Sequence, residues 1–374
     1  MPKSTDAAWM ARALQLARRG HYTTQPNPRV GCVVVNHAER VGEGWHQRAG
    51  EPHAEVHALR MAGAAARDAT VYVTLEPCSH QGRTGPCAVA LREAGVKRVV
   101  VAMQDPNPRV GGRGIALLRE AGIQVEVGLL ESEALELNRG FVSRMSRQRP
   151  YVCLKMAMSL DGRTAMASGE SQWITGPAAR SAVQRLRAGS SAVMTGVGSI
   201  IFDNSRLTVR ASQLDLEDAE AIASRQPLRV VVDSQLRMPQ AAACLREPGR
   251  TLVATLASHD PRRRARLEAA GAEVVTFPAG ADGRIDLAVL LRYLAEQEEV
   301  NELLLETGAT LAGAMLDAGL VDEMRLFVAP TLLGGEARPL FVLPGLTRMA
   351  QQRPLEILDV RAVGRDWCIT ARPG

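Results

Sequence analysis

The chain predicts two α/β domains in series, and three observations carry that expectation. Its 374 residues exceed one ordinary hydrophobic core, so length alone favours two or three domains. Apolar, β-rich runs alternate with helical stretches, the pattern of a sheet covered on both faces. That pattern breaks at residues 144–150, a basic, polar stretch ending in Pro150. The break predicts a junction there, dividing the chain into domains of residues 1–147 and 148–374.

The elements follow in order. Ser4, Thr5 and Asp6 offer helix caps, Trp9, Ala13, Leu16 and Ala17 share one helical face, and Gly20 can end the helix. The start therefore reads as an amphipathic helix and not as a secretory signal. Residues 30–35, 70–75, 98–102 and 123–127 read as buried strands, with helices at 54–66, 86–94 and 112–121 between them. After the junction the pattern restarts with a strand at 151–158. Asp161-Gly162 then gives a tight-turn signal before a strand at 163–167. Further strands are expected at 192–195, 229–232, 252–254, 273–276, 303–305 and 325–328, and helices at 176–188, 262–270, 287–298 and 311–320. No internal repeat or low-complexity tract is visible.

Composition narrows the function. The chain is 46% hydrophobic and 23% charged, as soluble globular proteins are. No apolar run approaches the roughly 18 residues of a membrane helix, so a cytoplasmic protein with no membrane partner is expected. Six scattered cysteines do not form a disulfide framework in so long a chain. Four lie in apolar or strand-like stretches, whereas Cys78 and Cys87 flank a polar loop. The net charge of +5 suggests anionic ligands, yet aromatic content is only 3%, too few rings to stack unpaired bases. Small phosphorylated molecules fit this balance better than nucleic acid.

His53, Cys78 and Cys87 supply one imidazole and two thiols, enough for three corners of a zinc tetrahedron. His53 precedes one helical run and Cys87 opens another, where the helix dipole favours a thiolate. Zinc held by three protein ligands keeps a fourth position for water and lowers that water's pKa to about 7. Glu55, two residues beyond His53, is placed to take that proton and return it to a substrate nitrogen and leaving amine. The alternative is a structural zinc with His57 or His80 as fourth ligand, which spacing alone leaves open. A metalloprotease motif is excluded, because it needs Glu directly after the first His.

This H-x-E…P-C order is the signature of zinc nucleobase deaminases, with one departure: eight residues, not two, separate the cysteines. The runs at 25–31, 42–46, 53–59 and 74–87 resemble the bifunctional pyrimidine deaminase and reductase family of riboflavin biosynthesis, to which the long cysteine loop belongs. The likeness continues through Asp105-Pro106-Asn107-Pro108 and the runs at 155–165, 168–175, 195–198 and 306–313, covering nearly the whole chain.

The resemblance implies a cytidine-deaminase-like three-layer α/β/α domain followed by a dihydrofolate-reductase-like α/β domain. It implies two reactions on a ribosylated pyrimidine 5′-phosphate: hydrolytic loss of the 2-amino group, then reduction of the ribosyl group to a ribityl chain by NADPH. By resemblance, His53, Cys78 and Cys87 hold one zinc ion, and Glu55 shuttles protons. Asn27, His46, His80 and Arg83 line the first pocket by the same resemblance. Asn27 can read an amide edge and Arg83 can meet a phosphate.

In the second half, the strand 303–305, the turn Glu306-Thr307-Gly308 and the following helical run form a strand–turn–helix start that attracts phosphate. It is not the dinucleotide fingerprint G-x-G-x-x-G. The resemblance makes Gly308, Ala309, Thr310, Leu311, Ala312 and Gly313 NADPH contacts, together with Ala157, Trp173, Ser199, Asp203 and Ser234. It assigns substrate binding to Ser171, Arg187, Leu207, Arg210 and Glu306, the two arginines suiting the ribosyl phosphate. Asp203-Asn204-Ser205-Arg206 departs from the Asp-Asp-Pro common in relatives, which implies altered loop stiffness with activity retained. The family also tends to self-associate, so a homo-oligomer is expected. Two rivals share part of the pattern: a nucleic-acid deaminase acting on tRNA or single-stranded DNA, and a zinc-stabilised scaffold. The large second domain and the low aromatic content count against the first, and Glu55 against the second.

Overall fold

The structure is a computed structural model describing residues 3–79, 85–108 and 110–374. Its contacts divide the chain into two compact units, Met1–Gln148 and Arg149–Gly374.

The first unit contains α1 (Lys3–Arg18), β1 (Gly31–Asn36), β2 (Glu39–Trp45), α2 (Ala54–Ala62) and β3 (Thr70–Val73). It continues with α3 (Cys87–Glu93), β4 (Arg98–Val101), α4 (Arg113–Glu120), β5 (Gln124–Val127), α5 (Glu131–Leu137) and α6 (Arg139–Arg147). The strands order as β2-β1-β3-β4-β5, antiparallel through β3 and parallel beyond it.

Alternation along each strand feeds two cores, because successive side chains point to opposite faces. Cys32 and Val34 pack with Ala54, Ala58, Leu91 and Leu118 of α2, α3 and α4. Val33 and Val35 pack with Met10, Ala13, Ala134 and Phe141 of α1, α5 and α6. The result is the expected three-layer sandwich.

Strand β2 was not expected, since Glu39–Trp45 is charged and carries glycines where a strand shows apolar alternation. Those glycines are why it works. A Cβ at Gly42 would lie 2.2 Å from the Ala58 carbonyl oxygen, and one at Gly44 would lie 2.5 Å from the His57 Cβ. Only glycine lets α2 lie so close to this strand. Residues 144–147, read as junction, instead end helix α6, and α5 was also missed.

The second unit opens with β6 (Tyr151–Ser159), β7 (Arg163–Ala165), α7 (Pro177–Gly189), β8 (Ala192–Gly196), α8 (Val197–Asp203), α9 (Ala219–Ala223) and β9 (Leu228–Val232). Next come α10 (Ala243–Arg246), β10 (Thr251–Leu256), α11 (Pro261–Ala269), β11 (Glu273–Phe277), α12 (Leu287–Glu296) and β12 (Glu302–Glu306). It closes with α13 (Ala309–Asp317), β13 (Glu323–Ala329), β14 (Arg338–Pro339), β15 (Leu355–Val363) and β16 (Asp366–Pro373).

Nine strands form one sheet in the order β11-β10-β9-β8-β12-β6-β13-β16-β15, parallel through β13, with an antiparallel β16–β15 ribbon at the end. Val152, Leu154, Leu303 and Leu305 face α12 and α13, while Cys153, Val193 and Leu304 face α8 and α11. The Asp161-Gly162 turn forms, but β7 pairs with β14 and not with β6. The Asp161 carboxylate accepts backbone N–H groups of Leu333 and Gly334, which draws the chain around β14 toward this turn. Strand β15 escaped the sequence pattern because it is exposed on both faces and so shows no buried alternation; the largely buried β16 was missed as well.

Candidate active sites

In the first unit, His53 caps the N-terminus of α2, Glu55 sits in that helix's first turn, Cys78 follows β3, and Cys87 is the first residue of α3. The end of the central strand and two helix starts thus deliver three donors to one point. His53 Nδ1 lies 3.3 Å from Cys87 Sγ and 3.5 Å from Cys78 Sγ. Tetrahedral zinc with ordinary Zn–N and Zn–S bonds separates such donors by about 3.5 Å, so the set fits that ion. Hydrogen bonding from the Cys87 thiol, helped by His53, pulls the Cys78 thiol well below its usual range. A thiolate is therefore ready for a cation.

No fourth His, Cys, Asp or Glu joins this cluster among the described residues. His57 lies outside it, its Cβ facing Gly44. His80 and Arg83 lie outside the described residues.

Glu55 is 3% exposed, and its Oε2 has no hydrogen-bond partner among the described residues. Burial, aided by the negative Cys78, pushes its carboxyl up to about 7. Such a group gains and loses a proton near neutrality, as a shuttle must.

Beside it, His46 is buried and stands edge-on to His53, ring centroids 5.3 Å apart. Its Nδ1 hydrogen donates to the Pro52 carbonyl at 3.2 Å, leaving Nε2 to accept from Asn27 Nδ2 at 3.0 Å. Burial holds the ring below its usual pKa, consistent with this neutral tautomer. The Asn27 amide nitrogen is thereby committed, and its oxygen is left for a ligand.

Sequence reasoning missed the role of Glu76. Its buried carboxylate accepts the backbone N–H groups of Asp105 (3.1 Å), Gly112 (2.9 Å), Gly114 (2.9 Å) and Ile115 (3.3 Å). One side chain thus closes the start of α4 and ties the 105–112 segment to the strand end that carries Cys78. A charged residue ending an apolar strand was the available signal.

In the second unit, a cleft of about 1560 Å³ opens at the C-terminal ends of the parallel strands, where α/β sheets bind ligands. Ala157, Ser171, Trp173, Arg187, Ser199, Asp203, Leu207, Arg210, Ser234 and Glu306 all line it, as do Gly308, Ala309, Thr310 and Leu311.

Arg187 makes a two-pronged ion pair with Glu306, Nε–Oε1 2.5 Å and Nη2–Oε2 2.9 Å, and donates from Nη1 to the Thr208 carbonyl at 3.0 Å. Burial alone would raise the Glu306 carboxyl, but the charge and hydrogen bonds of Arg187, with Lys155 4.0 Å away, bring it below its usual value. Arg187 is thus committed within the protein. Arg210 retains a buried Nε without a partner, which suits it better to an incoming phosphate. Lys155, which lines the cleft beside Glu306, was not singled out from the sequence.

Ser171 Oγ donates to Asp203 Oδ1 at 2.8 Å, and the exposed Trp173 ring carries the Arg180 guanidinium 4.9 Å from its centroid. Gly308 caps α13 with open space where a Cβ would stand, so a ligand can approach the backbone there. The cleft's size and this helix start fit a dinucleotide phosphate.

Two positions read as cofactor contacts do not line the cleft. Ala312 is buried in the core, and a Cβ at Gly313 would lie 2.0 Å from the Val342 carbonyl oxygen. Asn204 ends α8 in the left-handed region, φ 46°, which Asn tolerates better than most residues. Its side-chain oxygen accepts the Ala243 N–H at 2.9 Å.

Residues 150–369 match the family described as RibD C-terminal domain, and residues 3–103 match the cytidine and deoxycytidylate deaminase zinc-binding region. The chain is 52% identical over 368 residues to the riboflavin biosynthesis protein RibD of Escherichia coli (strain K12), covering 97% of this chain and 98% of that protein. It is 46% identical over 383 residues to its namesake in Haemophilus influenzae, covering 99% and 98%. Among solved structures, form 1 of Acinetobacter baumannii RibD superposes with a TM-score of 0.92 at 48% identity, covering 99% of each chain. A Thermotoga maritima diaminohydroxyphosphoribosylaminopyrimidine deaminase/5-amino-6-(5-phosphoribosylamino)uracil reductase gives a TM-score of 0.84 at 31% identity, covering 100% of each.

Proposed function

Because the chain belongs to the RibD family, we propose that residues 1–147 form its deaminase and residues 148–374 its reductase. The protein is a bifunctional enzyme of riboflavin biosynthesis: a zinc-dependent hydrolytic deaminase and an NADPH-dependent reductase. Its substrate is the ribosylated diaminopyrimidinone 5′-phosphate, deaminated first and then reduced from ribosyl to ribityl. The second unit's match to a reductase family removes the nucleic-acid deaminase reading.

When bound by His53, Cys78 and Cys87, zinc supplies the Lewis acidity that makes water nucleophilic near neutral pH. Glu55 carries one proton of the attacking water to the ring nitrogen, and then the proton of the newly formed hydroxyl to the leaving amine. The new C–O bond replaces the C–N bond, and ammonia leaves. Asn27 and His46 orient the pyrimidine edge, and the family resemblance assigns His80 and Arg83 to the same substrate, Arg83 to its phosphate.

In the second site NADPH supplies the hydride, and the protein supplies alignment. Arg210 and Ser171 hold the phosphorylated substrate, with Arg187, Leu207 and Glu306 shaping its seat. Ala157, Trp173, Ser199, Asp203, Ser234 and the 308–311 turn hold the dinucleotide.

The observation that carries this reading is the buried Glu55 carboxyl, its Oε2 unpartnered, beside a three-donor cluster. Glu55→Gln should cut ammonia release about 10²–10⁴-fold while zinc content and NADPH oxidation on pre-deaminated substrate persist. Undiminished deamination would refute the assignment.

No helix among the described residues is long and apolar enough to cross a membrane. A homo-oligomer is supported by β15, a nine-residue edge strand exposing Leu355, Ile357, Leu358 and Val360. Its free edge and apolar side chains suit pairing with a second copy. Light scattering on Val360→Lys should show a shift toward monomer.

A further inference from the structure

NADPH differs from NADH by one phosphate ester on the adenosine ribose, so preference between them needs a cationic subsite away from the reacting end. The cleft has such a place. Ser234 follows β9, and Ser258 and His259 follow β10, which stands three strands from β12 in the sheet. At about 4.8 Å per strand, this end lies some 14 Å from the Glu306 end, a span that an extended dinucleotide bridges.

The two strand ends are stitched together, since Thr255 Oγ1 donates to the Ser234 carbonyl at 3.3 Å. Arg237 and Arg263 line this end of the cleft and also flank a smaller hollow beside it. Arg263 Nη1 donates to the Gln235 carbonyl at 3.1 Å, which fixes its guanidinium next to Ser234. His259 Nδ1 donates to the Leu256 carbonyl at 2.8 Å, leaving its Nε2 for a ligand.

Arg237 has no acidic partner among the described residues. The nearby Asp260 is turned to the helix start, where it caps the Arg262 N–H at 2.8 Å, and it lies 3.9 Å from Arg263 Nε. A site for the 2′-hydroxyl of NADH would present an acid to the ribose, whereas arginine accommodates a 2′-phosphate. We propose that Arg237 and Arg263, with Ser234 and His259, form the subsite that recognises the 2′-phosphate and sets the preference for NADPH over NADH. The inference rests on NADPH as the reductant.

The test is direct binding, read by calorimetry on the full zinc-loaded chain with adenosine 2′,5′-bisphosphate and ADP as probes. The wild type should bind the bisphosphate more tightly. The Arg237→Ala/Arg263→Ala double variant should lose about tenfold or more in affinity for the bisphosphate, with ADP affinity unmoved. Arg262→Ala, exposed on the same helix and outside the cleft, should behave as wild type. Equal loss for both nucleotides, or no loss for either, overturns the subsite. A wild type that oxidises NADPH yet binds the two probes alike overturns the subsite alone. One that oxidises NADH and not NADPH overturns the cofactor reading with it.

Discussion

In the first unit the chemistry rests on His53, Glu55, Cys78 and Cys87, close in sequence and converging on one point through two helix starts and a strand end. In the second, the cleft gathers residues from the ends of β6, β8, β9, β10 and β12, and few of them are chemically distinctive. The difference follows from what each reaction asks of the protein. Hydrolytic deamination needs particular donor atoms and a proton carrier, so it restricts residue type at fixed positions. Hydride transfer needs two ligands held in alignment, so it restricts shape and leaves composition freer.

The comparison can be broken where each site is least replaceable. Arg187→Ala would leave Glu306 buried without its main partner and should destabilise the second unit by about 3–5 kcal/mol. Differential scanning calorimetry should show the reductase transition falling while the deaminase transition stays.

The same pair sets a pH limit. Glu306 has its folded pKa depressed, so its contribution is present above the unfolded value of 4.5 and lost as pH falls through the folded value. Acid unfolding of the second unit should therefore steepen below pH 4.5, and Glu306→Gln should flatten that limb.

A smaller effect sharpens the account of the first unit. Glu76→Gln replaces one accepting oxygen with a donor facing backbone N–H groups, costing about 1–3 kcal/mol. Zinc loss to a chelator should quicken along with the fall in stability. A stability loss with unchanged zinc release would make Glu76 a fold residue only.

The smallest concerns the departure at 203–205. Asn204→Ala should cost about 1–2 kcal/mol through its left-handed backbone, with the KM for NADPH rising more than kcat falls. Chemical denaturation and steady-state kinetics would check both.

The same contrast explains what the sequence made legible. The strands buried on both faces, such as β1, β3 and β12, were readable because such burial demands an unbroken apolar run. Strand β2 was not, since Gly42 and Gly44 give close packing in place of side chains. Strand β15 was not, since nothing in its own unit buries it. His53, Cys78, Cys87 and Glu55 could be argued from donor chemistry. The cleft residues needed resemblance, which also reached Ala312 and Gly313, positions that pack into the core and do not line the cleft. Lys155 and Glu76 were passed over because a lone charge beside an apolar run has no meaning until the fold supplies its partners.

The most direct test is elemental analysis of purified chain paired with both activities for the wild type and Cys87→Ser. The account requires one zinc per wild-type chain, and a variant that loses zinc and ammonia release yet still oxidises NADPH on the deaminated substrate. A metal-free chain that still releases ammonia at the wild-type rate would contradict it.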